Sequence, residues 1–222
     1  MITARNIHKS FGALEVIRGV DLDVFPSEVM SIVGPSGAGK TTLLQILGTL
    51  SRPDAGTVTY GDTDVFALSS SRLARFRNRN IGFVFQFHQL LPEFNLIENV
   101  AMPALIGGES RTASFEKARQ LLTTLGLSDR LTHRPAQLSG GECQRAAVAR
   151  ALVNSPEAVL ADEPTGSLDT HNREELHRLF FTLRDRLGVT FVIVTHDERL
   201  AADCDRIVHM RDGLITDITS NV

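Results

Sequence analysis

A glycine-rich stretch, GPSGAGKT, occupies residues 34–41 and fits the pattern G-x-x-x-x-G-K-[ST]. Its glycines let successive backbone N–H groups point at phosphate oxygens, its lysine brings a positive charge to the β and γ phosphates, and its threonine offers a hydroxyl to Mg²⁺. An apolar stretch precedes the loop and a helix-like stretch follows it, which would place a helix N-terminus at the anion. The pattern therefore predicts a nucleotide-phosphate site. Its residues are Gly34, Pro35, Ser36, Gly37, Ala38, Gly39, Lys40, Thr41 and Thr42.

Two adjacent carboxylates, Asp162 and Glu163, end the apolar stretch AVLAD at 158–162. The carboxyl ends of parallel strands line the ligand-binding edge of such a sheet. We expect Asp162 to hold Mg²⁺ through water and Glu163 to polarise the water that attacks the γ-phosphate. Alone, the pair is equally well explained as a strand end that caps the next turn, and the phosphate loop favours the catalytic interpretation.

Two single polar residues follow other apolar stretches. Gln86 comes after IGFVF, and His196 comes after VTFVIVT. A glutamine there can reach the metal or the attacking water, and a histidine can donate a hydrogen bond to the γ-phosphate. Taken alone, each is more simply explained as a polar loop residue. The two residues indicate a nucleotide site only together with the phosphate loop and the carboxylate pair.

A second loop of phosphate-binding type, LSGGE, occupies residues 138–142. Ser139 lies three residues before Glu142, which is the spacing of a capping box, and a helix-like stretch follows. One chain thus contains two loops suited to phosphate, about a hundred residues apart.

Strand-like and helix-like segments alternate along the chain. The stretch 20–25 alternates apolar and polar residues, as a half-buried antiparallel strand does, whereas 29–34, 158–162 and 189–195 are mostly apolar. Asp212-Gly213 predicts a hairpin turn. The pattern indicates an α/β fold with a mainly parallel sheet and an antiparallel β subdomain.

Helices are predicted at 115–125 and 172–187, each followed by glycine, and after the second loop. Residues 87–156 are mainly helical in pattern. We therefore expect one domain, 1–222, with a core formed by 1–86 and 157–222 and a helical subdomain formed by 87–156. The arginine-rich stretch 72–79 is best explained as a solvated face.

Composition narrows the function classes. The 222 residues carry a formal net charge of −3, with no basic stripe of the kind that nucleic-acid binders show. Two cysteines give neither a disulfide framework nor metal spacing, which is typical of a reducing compartment. The chain begins without an apolar leader and has no run of membrane-spanning length. We expect no nucleic-acid partner, a cytoplasmic location, and any membrane role through another protein.

In order, GPSGAGKTT, Gln86, LSGGECQR, LADEPTGSLD and VTHD resemble the ATP-binding subunit of ABC transporters over nearly the whole chain. The resemblance implies a P-loop fold, ATP and Mg²⁺ as cofactors, and a head-to-tail homodimer. Ser139, Gly140 and Gly141 would then contact the γ-phosphate bound by the partner copy. Asp169 would communicate between the two sites, and Phe11 would stack on adenine where the family usually has tyrosine.

Cys143 departs from the family pattern, which usually has a longer polar residue after LSGGE. The residues that contact phosphate are intact, so we expect activity to be kept. A thiol at this place would make the dimer interface sensitive to thiol reagents.

The stretch 85–108 resembles the lipoprotein-releasing (Lol-type) subgroup, particularly in FHQLLPEF and ENVAMP. The resemblance implies membrane permease subunits docking near residues 86–106, lipoproteins as indirect cargo, and a peripheral location on the cytoplasmic face of the inner membrane. The simpler explanation of its leucines and phenylalanines is packing inside the helical subdomain. Macrolide-export and cell-division ATPases share ADEPTG but are less similar in this stretch.

Three other classes of protein remain as alternatives. DNA-acting relatives place long heptad-repeat insertions between the two loops, and translation factors carry two such units per chain; neither feature is present here. A simple nucleotide kinase or small GTPase leaves LSGG and His196 unexplained.

Overall fold

The computed structural model describes residues 1–221. Its central element is a six-stranded sheet with the order β10-β9-β3-β8-β7-β6. The strands of this sheet are β3 (Val29–Val33), β6 (Ile81–Phe85), β7 (Ala158–Asp162), β8 (Thr190–Val194), β9 (Arg206–Arg211) and β10 (Leu214–Ser220). All neighbours pair in parallel except the terminal pair, β9 and β10. The predicted, mainly parallel α/β sheet is confirmed.

A separate four-stranded antiparallel sheet has the order β2-β1-β4-β5. Its strands are β1 (Ile2–Phe11), β2 (Leu14–Val24), β4 (Ala55–Tyr60) and β5 (Thr63–Asp64). The half-buried strand predicted at 20–25 is the second half of β2, whose buried residues alternate with exposed ones. The antiparallel β subdomain is therefore present.

Seven α-helices complete the fold: α1 (Lys40–Leu47), α2 (Ser70–Asn80), α3 (Leu96–Ile106), α4 (Arg111–Thr124), α5 (Gly140–Leu152), α6 (Thr170–Leu187) and α7 (Glu198–Asp203), within residues 1–221. Three of them, α3 to α5, fall in the segment predicted to be helical. None of the residues in the described range of α2 is buried, which agrees with a solvated arginine-rich face.

The sheet is covered on both faces by apolar side chains. One hydrophobic cluster packs the helices α3, α4, α5 and α6 against the sheet and contains Leu122, Phe180 and Phe191. The other joins α1 and the antiparallel sheet to it and contains Ile32 and Leu43. Strands covered in this way lose the alternating pattern, which explains why β3, β7 and β8 are mostly apolar.

Local signals in the sequence set several helix ends. Ser139 and Glu142 form the predicted capping box at the start of α5. Gly188 ends α6 in the left-handed conformation, with φ of 67°. The predicted helix at 115–125 begins earlier, at Arg111, because the Ser110 side chain accepts a hydrogen bond from the N–H of Ala113. Within residues 1–221, no helix has both the length and the apolar character that crossing a bilayer requires.

Candidate nucleotide-binding site

The glycine-rich loop joins β3 to α1, so the N-terminus of α1 faces the space that the loop encloses. Gly39 precedes the helix with φ of 98°, and a Cβ at this position would lie 2.7 Å from Ile17 Cδ1 and 2.9 Å from Val16 O. Only glycine fits this backbone and this space. Most of the loop borders a cavity of about 560 Å³, together with Leu14, Val16, Glu163 and His196.

The side chain of Lys40 bends back over the loop. Its Nζ donates hydrogen bonds to the carbonyl oxygens of Gly34, at 2.7 Å, and Pro35, at 2.9 Å. The positive charge is thereby held over the start of the glycine-rich loop. Such an arrangement suits a polyphosphate.

Oxygen ligands for a divalent cation meet at the edge of the sheet. Asp162 is the last residue of β7, and its Oδ1 accepts a hydrogen bond of 3.1 Å from Thr41 Oγ1. Burial raises the pKa of the Asp162 carboxyl, and the neighbouring charge of Glu163 raises it further. A bound cation would offset both effects. A hydroxyl and a carboxylate in contact are the hard oxygen donors that Mg²⁺ prefers, so these residues fit the predicted metal.

Glu163 and His196 form a pair that faces the nucleotide cavity. The Nδ1 atom of His196 lies 2.8 Å from Oε2 of Glu163, and the backbone N–H of His196 donates to the same oxygen at 3.3 Å. Glu163 has φ of 49°, which is uncommon for a residue other than glycine. Its backbone N–H donates to the carbonyl of Val194 at 2.9 Å. The backbone thus aims this carboxylate at the cavity.

Gln86 follows β6 and lies beside the loop after Glu163. A Cβ on Gly166 would come within 2.9 Å of the Gln86 side-chain nitrogen, and Ser167 Oγ donates to the Gln86 carbonyl at 3.0 Å. Gln86 is not among the described residues that line the nucleotide cavity. The structure therefore places it next to the carboxylate segment, and its contact with metal or water stays a prediction.

Phe11 lies opposite Leu14, a residue that lines the cavity. The two residues pair across the hairpin of β1 and β2, and Phe11 is 54% exposed. Of the described residues in this hairpin, Leu14 and Val16 line the cavity and Phe11 does not. The sequence analysis missed these two aliphatic residues because nothing in their pattern separates them from ordinary strand residues.

The second loop lies outside this cavity, among the residues that the structure describes. Ser139 Oγ accepts from the N–H of Glu142 at 3.2 Å, and Glu142 Oε2 accepts from the N–H of Ser139 at 2.8 Å. Ser139 and Gly140 are exposed. Ser139 and Gly140 at the start of α5 are therefore accessible to a ligand held by another molecule, whereas Gly141 is buried.

Asn172 joins this second loop to Asp169. The Asp169 carboxylate caps α6 by accepting from the Asn172 backbone N–H at 2.9 Å and from its side-chain amide at 2.7 Å. A Cβ on Gly141 would overlap the Asn172 side chain. The sequence analysis did not select Asn172, although its place three residues after a capping aspartate was a usable signal. The residues assigned to the partner's nucleotide thus form one packed unit.

Cys143 contradicts the expected sensitivity to thiol reagents. It is only 3% exposed, because it follows the exposed turn of α5 on the side that faces the core. Burial raises the pKa of its thiol, so the unreactive protonated form is favoured. The departure from the family pattern affects packing inside the helical segment.

A groove of about 450 Å³ includes two residues, Pro103 and Ile106, of the stretch 86–106 at which a membrane partner is predicted to dock. Its apolar lining includes Leu50, Phe85 and Ile106, of which Ile106 is 71% exposed. Arg150, on α5, lines the same groove and donates to the carbonyls of His88, at 2.8 Å, and Gln89, at 2.6 Å. The groove floor therefore connects α5 to the segment that follows Gln86.

The sheet is mainly parallel, and a phosphate loop and a carboxylate pair lie at its edge. The chain also has a second glycine loop that faces outward. Together these features define an ATPase of the ATP-binding cassette class. A family model described as "ABC transporter" matches residues 17–166, and the chain belongs to this family. Its predicted identity as an ATP-hydrolysing ABC subunit is confirmed.

The curated relatives and the solved structures agree with this assignment. A lipoprotein-releasing system ATP-binding protein LolD of Bacteroides thetaiotaomicron is 62% identical over 97% of this chain and 99% of its own length. The protein of the same name from Porphyromonas gingivalis is 60% identical over 97% and 98%. Among solved structures, the dimeric ATP-binding cassette MJ0796 bound to ADP and Pi has a TM-score of 0.90 at 35% identity, covering 99% of this chain and 98% of that one.

Proposed function

We propose that this chain works as a homodimer that binds two ATP molecules between its copies and drives membrane subunits that release lipoproteins. One observation carries the proposal: two phosphate-type loops occur in one chain, and the structure separates them. The Gly34–Thr42 loop encloses its own cavity, whereas Ser139 and Gly140 are exposed elsewhere. A second copy placed head to tail would bring the exposed loop to the nucleotide.

Within one copy, the roles follow from position. The Gly34–Thr42 loop binds the phosphates, Lys40 neutralises their charge, and Phe11 stacks on adenine. Glu163 orients the attacking water, because phosphoryl transfer needs a positioned nucleophile more than covalent chemistry. His196 holds the Glu163 carboxylate at 2.8 Å and donates a hydrogen bond to the γ-phosphate once ATP is bound.

Thr41 and Asp162 would hold Mg²⁺, with Gln86 as a further ligand from the neighbouring loop. When bound, the cation would neutralise negative charge on the phosphates. The Thr41–Asp162 hydrogen bond of 3.1 Å keeps both oxygens together in advance.

Across the dimer, Ser139, Gly140 and Gly141 would contact the partner's γ-phosphate through the N-terminus of α5. The Asp169 carboxylate accepts a hydrogen bond from Asn172, which lies against the second loop. Asp169 would therefore respond to the same phosphate contact. The solved structure of MJ0796 with ADP and Pi is described as dimeric, which supports this arrangement.

The apolar groove with Ile106 at its edge is the proposed dock for membrane permease subunits. An exposed apolar groove with polar groups at its edge is typical of an interaction site. Phe85 lines the groove, and Gln86 follows Phe85 in the chain. Docking of a partner in the groove would therefore affect the edge of the sheet that carries Asp162 and Glu163. The names of the LolD relatives support lipoprotein release as the driven process. Docking on membrane subunits would give the chain a peripheral location on the cytoplasmic face of the inner membrane.

The test is to purify the tagged chain from mild-detergent extracts and to identify its partners by mass spectrometry. We expect paired membrane subunits and ATP hydrolysis that lipoprotein stimulates. Ile106→Asp should abolish co-purification while ATP still binds, and Ile218→Asp, at a 42% exposed isoleucine of β10, should not. Recovery of different membrane subunits would indicate a different cargo, as for a macrolide-export or cell-division system. Soluble, nucleic-acid-bound partners alone would overturn the transport function.

A further inference from the structure

A second cavity, of about 470 Å³, shares His196 with the nucleotide cavity. It lies between α6 and the start of α7. Arg173 and His177 of α6 line it from one side, and Asp197 lines it from the other. In the part of the chain that the structure describes, Nε of Arg173 and Nε2 of His177 are buried without a hydrogen-bond partner. Burying a hydrogen-bond donor without a partner costs free energy, so the position of these two nitrogens needs a physical reason.

Both side chains approach the same carboxylate oxygen. Nε2 of His177 lies 3.6 Å from Oδ2 of Asp197, and Nη1 of Arg173 lies 3.8 Å from it. These distances are just beyond a hydrogen bond, and a shift of less than about 1 Å would bring either one into range. Burial lowers the pKa of His177, so its neutral imidazole can donate one hydrogen bond to Asp197.

Asp197 is rigidly connected to the neighbouring His196. Its Oδ1 accepts from the N–H groups of Arg199, at 3.0 Å, and Leu200, at 3.3 Å. Its own N–H donates to Thr195 Oγ1 at 3.0 Å. These hydrogen bonds fix the Asp197 side chain relative to the segment 195–200, which carries His196, so we expect the two residues to shift together.

Arg173 extends the connection to the loop assigned to the dimer partner. Its Nη2 donates to the carbonyl of Leu168 at 3.3 Å, directly before Asp169. The same helix, α6, thus contacts the segment after β8 and the segment that faces the second copy.

We propose that His177 and Arg173 are positioning residues for ATP hydrolysis: they hold Asp197 and thereby set the orientation in which His196 meets Glu163 and the γ-phosphate. This inference rests on the roles proposed above for His196 and Glu163. Neither His177 nor Arg173 lines the described nucleotide cavity, so they act through Asp197 and not on ATP itself.

The test compares His177→Phe, which keeps the ring volume and removes both ring nitrogens, with His177→Gln, which keeps a donor. The matched control is His171→Phe, since the His171 side chain is on the same helix and 78% exposed. We expect His177→Phe to lower kcat roughly tenfold, less than the ~100-fold that a 1 Å misplacement can cost. KM for ATP should stay within about twofold, because binding is not touched. Thermal stability should be kept or raised, and His177→Gln should recover most of kcat.

Equal kcat values for His177→Phe and His171→Phe would overturn the inference. A parallel fall in kcat and thermal stability that His177→Gln does not rescue would do the same, since it indicates packing alone. If His177→Phe does not fold, Arg173→Met is measured in its place with the same expectation. Glu163→Gln and His196→Ala are assayed alongside, so that failure of this inference can be told from failure of the proposed function. Wild-type turnover in these two variants would contradict the roles proposed for Glu163 and His196.

Discussion

The carboxylate of Glu163 lies 2.8 Å from Nδ1 of His196, and both side chains face the cavity that the glycine-rich loop encloses. They come from the ends of two neighbouring parallel strands, β7 and β8. The backbone of Glu163 is in the left-handed region, with φ of 49°, and such strain is concentrated at functional sites. In the proposed function, this pair links the carboxylate that would orient the attacking water to a histidine that would contact the γ-phosphate.

Replacing this carboxylate should separate binding from hydrolysis. Glu163→Gln should bind ATP as the wild type does and hydrolyse it at least ~100-fold more slowly, because the amide cannot act as a general base. Release of phosphate under saturating ATP is the measurement. Glu116→Gln is the control, since Glu116 is exposed on α4. Wild-type turnover in Glu163→Gln would remove Glu163 from the catalytic role.

The two glycines of the second loop should differ in their effect on stability. Gly141→Ala pushes a methyl group into the Asn172 side chain and should destabilise the fold by about 1–3 kcal/mol. Gly140→Ala has its nearest neighbour, Leu168 Cδ2, at 3.6 Å and should leave the stability of the single copy unchanged. Urea unfolding of both variants measures the difference. Equal stabilities would show that Asn172 does not pack as described.

Adenine stacking on Phe11 predicts a loss of ATP affinity in Phe11→Ala. Stacking of a base on an aromatic ring is worth ~1–3 kcal/mol, so the Kd for ATP should rise roughly tenfold. Fluorescent-nucleotide titration measures it, with Phe94→Ala as the control at a 38% exposed phenylalanine of the helical segment. An unchanged Kd would leave Leu14 and Val16 as the hydrophobic wall for the base.

Both cysteines should resist thiol reagents in the folded protein. Burial raises the pKa of Cys204 to about 12 and also raises that of Cys143, so both thiols are protonated at pH 8. Maleimide labelling should be slow in buffer and reach both thiols in denaturant. Ser139→Cys, at an exposed position, should add one fast-reacting thiol. A fast native reaction of Cys143 would show that α5 opens, and a fast reaction of Cys204 would show that the end of α7 does.

Short-range patterns made much of this site predictable. The phosphate loop, the carboxylate pair and the capping box of α5 are each defined by residues within nine positions, and their local geometry follows from their own backbone. The apolar central strands were equally clear, because both faces of the sheet are covered. These features need little knowledge of the rest of the chain.

Contacts between distant segments were not predictable in the same way. Leu14 and Val16 reach the cavity only because the antiparallel sheet packs beside the phosphate loop. The contact of Asn172 with Gly141 joins two helices that are separated by a strand. Cys143 shares a helix turn with exposed residues yet faces the core, and a single sequence does not state which side of that turn is buried.

The central claim is that a second copy completes the ATP site through Ser139. Sedimentation of Glu163→Gln with ATP, compared with Glu163→Gln/Ser139→Arg, tests it most directly. We expect an ATP-dependent dimer for the first protein, and a monomer that still binds ATP for the second. A dimer that persists in the double variant, or ATP binding that is lost with Ser139→Arg in the monomer, would contradict it.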